Sequence, residues 1–208
     1  MTFENRRAAG QQLAAKLSAY RNNPDVIIIG LPRGGVVTAA EVAKELKAPL
    51  DIVVPRKIGF PGNPEFAIGA ITEDGTGVMN EETISAYNIP QEYIDRTING
   101  EKKEAQRRLK VYRGRRPLLL LKNKIVILVD DGIATGATMR AAIASAKAKK
   151  AKKIIVAVPV TAGDSKNIIE KECDEFVCID VPMFFGAVGN FYEEFGQVED
   201  EEVIQILK

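Results

Sequence analysis

Apolar positions along this chain collect in short unbroken runs rather than alternating with polar ones. The runs are Asp25 to Gly30, Pro49 to Pro55, Lys124 to Val129, Lys153 to Pro159 and Glu175 to Val181. Such runs predict strands buried on both faces, as in a parallel sheet. Helical spacing fills the gaps between them. Residues 4–20 place Leu13, Leu17 and Tyr20 on one side, and Gly34 to Leu46, Ala137 to Lys149 and Ser165 to Glu172 continue the alternation. Glu201 to Leu207 reads as a short closing helix. The order predicts an α/β fold, a doubly wound and mainly parallel sheet flanked by helices.

One long interruption, residues 56–123, breaks this rhythm. It opens with Gly59, Pro61, Gly62 and Pro64, continues with short strands near Ala67 to Ile71 and at Val78, and then holds a charged helix from about Gln91 to Tyr112. An insertion of that length in a compact domain is usually a lid or a small excursion. Within it, Gly59, Gly62, Gly69 and Gly75 give hinge freedom, and Pro61 and Pro64 oppose regular helix. A mobile lid over residues 58–75 that orders with substrate is expected. Residues 181–208 form an aromatic-rich hood. With no internal repeat and no low-complexity linker, the reading is a single domain over 1–208, with the lid excursion at about 56–123 and the hood at about 181–208.

Composition narrows the chemistry. The 208 residues carry a net charge of +1, so no global field draws the chain to nucleic acid or acidic membrane. No apolar run reaches spanning length and the first residues lack a signal-peptide core, so a cytoplasmic protein without a membrane partner is expected. Cys173 and Cys178 stand alone, and the chain has no His. That excludes Ser-His-Asp and Cys-His nucleophile systems and His-ligated metals. Basic residues crowd two helix ends, around Lys102 to Arg116 and Lys147 to Lys153, but aromatic residues are not interleaved for base stacking, so nucleic-acid binding is not expected.

Three strand ends carry the remaining chemistry. The Lys124 to Val129 run ends in Asp130 and Asp131, followed by Gly132, Ile133, Ala134, Thr135, Gly136, Ala137 and Thr138. Aspartates favour turns and caps, but a carboxylate pair at the carboxyl end of a parallel strand is where open α/β sheets bind ligands. Small residues and hydroxyls at a helix mouth let N–H groups converge on an anion. Carboxylates for hydroxyls or a hydrated metal, beside a phosphate cradle, suit a ribose 5-phosphate. The second strand end is Leu31-Pro32-Arg33-Gly34-Gly35, where glycine N–H groups and a guanidinium can meet a diphosphate. The third is the pair Arg56-Lys57.

The Asp130 to Thr138 segment closely resembles the 5-phosphoribosyl-1-diphosphate (PRPP) motif of type I phosphoribosyltransferases. The Pro32 to Gly35 loop, Arg56-Lys57, the Arg56 to Glu65 segment and the Pro182 to Phe195 tail are similar to a bacterial and archaeal branch of that family. The resemblance implies transfer of 5-phosphoribosyl from PRPP to a nitrogen nucleophile, a nucleobase as in nucleotide salvage, with release of diphosphate. It implies Mg2+ as cofactor, PRPP and a small nitrogen base as partners, and a homodimer. Asp130 and Asp131 would hold ribose hydroxyls or position Mg2+, and Ala134, Thr135, Gly136, Ala137 and Thr138 would wrap the 5-phosphate. Arg33, Gly34, Gly35, Arg56 and Lys57 would meet the diphosphate, across a Pro32–Arg33 bond able to adopt the cis form. Phe184 or Phe185 would stack on the base. In hypoxanthine-guanine-type enzymes an Asp stands where this chain has Ala134, an Asp falls on Asn190, and a purine-reading Lys falls near Cys173. Adenine-type enzymes instead have Ala and draw a Glu from a mobile loop, which points to Glu65, with Glu73 as the other carboxylate available. The competing class is a PRPP-sensing regulator that keeps the site without transfer and binds RNA through its basic helices.

Overall fold

The computed structural model describes all 208 residues. Five parallel strands make the main sheet: β1 (Val26–Gly30), β2 (Leu50–Ile52), β6 (Ile125–Val129), β7 (Lys153–Val160) and β8 (Glu175–Asp180), in the order β2-β1-β6-β7-β8. The strands are apolar throughout because both faces are covered. Ile27, Ile29, Val126, Leu128, Ile154 and Val156 point to one face, under α5 (Ala137–Ala148) and α6 (Gly163–Ile169). Val26, Ile28, Ile127, Val129 and Ile155 point to the other, under α1 (Arg6–Lys16) and α2 (Gly34–Leu46). The expected doubly wound α/β sheet is therefore present. Helix α1 is shorter than its spacing suggests: Asn5 caps it, its Oδ1 accepting from the N–H groups of Arg7 and Ala8, and it gives way to a 3-10 turn at Ser18–Tyr20. No helix is long and apolar enough to cross a membrane.

Strand order reverses between β1 and β6. The chain winds from β1 outward to β2 on one side and from β6 through β7 to β8 on the other. Such a switch point opens a crevice at the carboxyl ends of the two central strands. The Leu31 to Gly35 loop leaves β1 there and Asp130-Asp131 leaves β6.

The long interruption is more regular than a Gly/Pro-rich loop. Strands β3 (Arg56–Phe60), β4 (Asn63–Ile71) and β5 (Gly77–Met79) form a separate antiparallel sheet, followed by α3 (Glu81–Ala86) and α4 (Gln91–Arg113). Pro64 is tolerated near the start of β4, and the ladder between β3 and β4 shifts register around Gly59. The base of this unit is clamped to the main domain. Asp51, buried on β2, takes two N–H groups of Arg113 at 2.8 and 3.2 Å. The carboxylate of Glu73 accepts from the Val54 N–H at 3.0 Å and lies 3.3 Å from the Lys149 ammonium. Beside it, Asp74 accepts from Thr72, from the Thr76 N–H and from Ser145, and pairs with Lys149 at 2.9 Å.

Partial burial by itself raises the Asp74 carboxyl pKa, but the bonds from Thr72, Thr76 and Lys149 outweigh it and hold the group well below the usual carboxylate range. A group depressed in the folded state stabilises above its unfolded pKa of about 3.9 and loses that contribution as pH falls. Asp74→Asn should therefore flatten the fall of melting temperature between about pH 5 and pH 3. An acid limb as steep as that of the wild type would show that Asp74 does not anchor the excursion.

Candidate active site at the switch point

Two glycines bring the central loops into contact. A Cβ on Gly34 would lie 2.0 Å from Asp131 Oδ2, and one on Gly35 would lie 2.5 Å from Asp130 Oδ1 and 2.8 Å from the Asp130 Cα. The Gly34-Gly35 loop and the carboxylate pair are thus packed backbone to carboxylate, with room for hydrogen only. Gly35→Ala should force them apart. Overpacking of this kind costs about 1–3 kcal/mol, and a chain of this size loses about 2–4 °C of melting temperature per kcal/mol. A melting temperature unchanged in Gly35→Ala would contradict the close approach. The Pro32–Arg33 peptide bond between these elements is cis, as the resemblance implies.

The helix mouth sits alongside. Gly136 takes φ +77°, a left-handed conformation that glycine adopts freely, and turns the chain into α5. No side chain caps α5, so the first-turn N–H groups, which have no acceptor within the helix, face the loop. Ala134 and Thr135 are exposed, and Ala137 and Thr138 are half-buried.

Asp131 is already engaged. Arg6 Nε donates to its Oδ2 at 2.6 Å, with the Arg6 and Asp131 side chains 12% and 14% exposed. Tyr192, from the hood, donates its hydroxyl to the Asp131 carbonyl at 2.5 Å. Burial, with the Asp131 charge beside it, lifts the Tyr192 hydroxyl far above its ordinary range and keeps it a donor. Asp130 accepts from the Asp131 N–H at 2.9 Å. Desolvation first, and then the neighbouring Asp131 carboxylate, raise its carboxyl well above the usual range.

The basic residues stand around this centre. Arg33 precedes α2 and reaches Glu199 at 3.4 Å and Asp200 at 3.6 Å, at the start of α7 (Asp200–Ile206). Arg56 pairs with Glu101 of α4 at 2.7 Å, and Lys57 is exposed. Arg56, Lys57, Glu65, Glu101 and Thr138 line one groove beneath the β3–β4 hairpin. Lys57 and Glu65 also line a second groove with Thr135, Ala137 and Arg140. The hairpin therefore lies over the helix mouth, and Glu65 faces both grooves. Glu73 does not join them, since it is 7% exposed and held by Val54 and Lys149.

The hood follows β8. Phe185 packs on Phe191 with ring centres 5.2 Å apart, whereas Phe184 is 87% exposed. Of the two candidate aromatics, Phe184 has the free face. Cys173 lies just before β8, at the amino ends of the parallel strands and opposite the switch point, so it occupies no position facing a ligand there. The strand-end residue beside the hood is Thr161, which bridges to Ile133 and whose N–H donates to the Asp180 carbonyl at 3.2 Å. Spacing alone missed Arg6 and Tyr192, which both hold Asp131. Arg6 did leave a local signal: it is a cation in the first turn of a helix that has no acidic residue there, against the helix dipole.

The donor set suits a hard cation held jointly with a ligand. No group of three or more His, Cys, Asp or Glu side chains is clustered to cage a metal alone. Mg2+ is commonly bound by one or two carboxylates together with substrate phosphates, which two adjacent aspartates can provide.

A doubly wound sheet with a carboxylate pair, a glycine loop and an uncapped helix mouth at its switch point defines an α/β protein with a candidate ligand site where its two central strands end. The model of the phosphoribosyl transferase domain matches residues 3–194, and the chain belongs to that family, in its type I branch. A protein of Mycobacterium tuberculosis, provisionally named a phosphoribosyl transferase, is 43% identical over 205 residues, or 99% of this chain and 46% of its own length. The chain thus spans about half the length of the curated relatives it matches. A crystal structure from Thermus thermophilus is 40% identical, covers 100% of this chain and 98% of its own, and superposes with a TM-score of 0.85. A protein of Aquifex aeolicus, at 13% identity, shares the fold alone, with a TM-score of 0.53 over 85% of this chain and 74% of its own.

Proposed function

We propose that this protein transfers the 5-phosphoribosyl group from PRPP to a nitrogen nucleophile, a nucleobase, and releases diphosphate. One observation carries the reading: Gly34-Gly35 packed against Asp131-Asp130 beside the open mouth of α5. The 5-phosphate binds the N–H groups and hydroxyls of Ala134 to Thr138. Asp130 and Asp131 accept from the ribose hydroxyls. The diphosphate meets the glycine loop, Arg33, Arg56 and Lys57. Arg33 and Arg56 are held by acidic residues without ligand, but partly exposed ion pairs are worth about 0–1 kcal/mol, so a diphosphate exchanges them readily.

As the C1–O bond to diphosphate breaks, the C1–N bond forms, and charge grows on the leaving group. The guanidinium groups of Arg33 and Arg56, Lys57 and the loop N–H groups stabilise that charge. Asp130 and Asp131 would hold Mg2+, which would supply further neutralisation of charge on the diphosphate. The β3–β4 hairpin is anchored at its base through Glu73 and Asp74, and its tip at Gly62 and Asn63 is exposed. It acts as a lid that closes on PRPP and excludes water. Phe184 stacks on the incoming base, and a homodimer in the cytoplasm is the working form.

The test is a screen of purines, pyrimidines and other nitrogen heterocycles for Mg2+-dependent release of diphosphate from PRPP. Release with at least one base is expected. Binding of PRPP with no release from any acceptor would make the protein a sensor, and absence of PRPP binding would overturn the reading altogether.

A further inference from the structure

We infer that Arg6 is a positioning residue of the ribose site: it reserves one oxygen of Asp131 and tunes the carboxylate pair to accept a polyanion rather than a free divalent cation. The inference rests on the PRPP reading and deepens it. Three observations carry it. The first is the Arg6 Nε to Asp131 Oδ2 bond at 2.6 Å, between side chains that are both mostly buried. Oδ1 is left as the oxygen that Asp131 offers to a ligand. The second is how Arg6 is held. Its guanidinium carbon lies 3.7 Å from the centre of the Phe195 ring, and its Nη1 donates to the Gly196 carbonyl at 2.8 Å. A planar fork fixed on both sides leaves the carboxylate little freedom.

The third is its location. Asn5 caps α1 and so places Arg6 in the first helical turn, where the dipole disfavours a cation. The local preference is overridden by a carboxylate distant in the chain. The same segment is stitched to the hood by the Phe3 N–H to the Phe191 carbonyl at 2.8 Å and the Glu194 N–H to the Glu4 carbonyl at 2.8 Å. Arg6 on the side chain and Tyr192 on the carbonyl grip Asp131 from that one unit. Without Arg6, two adjacent carboxylates would present uncompensated negative charge. That would favour a bare cation and oppose a ligand carrying several phosphate charges.

Two variants test this. Arg6→Met keeps an unbranched stem on Phe195 but removes the charge and the donors, and Arg6→Lys keeps the charge without the fork. Calorimetry should show PRPP with Mg2+ binding Arg6→Met roughly tenfold or more weaker, a typical loss for one charge-assisted contact. Mn2+ titrated into the free protein, followed by electron paramagnetic resonance, should bind Arg6→Met more tightly than wild type. Arg6→Lys should restore Mn2+ binding to the wild-type level while recovering PRPP affinity only in part. Melting curves identify any variant that is unfolded, and Arg6→Lys then carries the test. Unchanged PRPP and Mn2+ affinities in a folded variant would overturn the inference. Failure of wild-type protein to bind PRPP would instead overturn the functional reading beneath it, and an unchanged Mn2+ affinity in Arg6→Met would still reject the charge-tuning role.

Discussion

Asp131→Asn is expected to bind PRPP about 10- to 100-fold more weakly than wild type. A hydrogen bond to a charged acceptor is worth about 1.5–3 kcal/mol, and each 1.4 kcal/mol is about a factor of ten. Asparagine keeps the shape of the side chain but has only one acceptor oxygen to serve both Arg6 and the ligand, so the loss reports the charge and the second acceptor together. Alanine would be a poorer choice, because it would leave the mostly buried guanidinium of Arg6 facing a void. Some destabilisation is expected with Asn as well, since Arg6 loses its counter-charge and removing one partner of a buried pair is destabilising. Binding should therefore be measured by calorimetry well below the melting temperature of the variant. PRPP affinity equal to wild type would remove Asp131 from the ribose site.

Glu65→Gln should lower turnover about 10²-fold or more, with PRPP affinity little changed, if a positioned general base contributes its usual share. Ala134 has no group that could take a proton from the attacking nitrogen. Glu73 is fixed under the hairpin by Val54 and Lys149 and cannot approach C1 without breaking both contacts. Glu65 is exposed on β4 and lies over the groove that also holds Lys57 and Thr138. It stands two residues from the hairpin tip at Asn63, so closure of the lid would carry it inward. The measurement is single-turnover kinetics with whichever acceptor the diphosphate screen identifies. Wild-type turnover in the variant would reject Glu65 as the base. Equal protease protection of residues 58–75 with and without PRPP and Mg2+ would reject the lid.

The parts of the site legible in the chain are those coded by neighbours in sequence. A run such as Ile125 to Val129 must be covered on both faces, and whatever follows it emerges at the sheet edge where ligands bind. Asp130-Asp131 with its Gly/Thr loop was therefore readable as a site, as were the turn at Arg33 to Gly35 and the boundaries of α2. The excursion was only half readable. Gly59, Pro61, Gly62 and Pro64 suggest an irregular loop, yet the residues around them pair as a hairpin. Strand pairing is a tertiary matter, and Gly and Pro at a hairpin tip and near a strand start do not oppose it.

By itself the sequence determined the α/β class, the alternation of elements, the position of the candidate loops at the strand ends and the exclusion of histidine chemistry. Each follows from local periodicity or from residue type. The tertiary structure decided which distant groups meet. It put the strand reversal between β1 and β6, laid Gly34 and Gly35 on the two aspartates, and seated Glu65 over the helix mouth while locking Glu73 beneath the hairpin. It also brought Arg6 across 125 positions of chain to Asp131. Contacts at that separation depend on how helices dock on a sheet: periodicity marks which face of an element is buried, not which distant residue meets it.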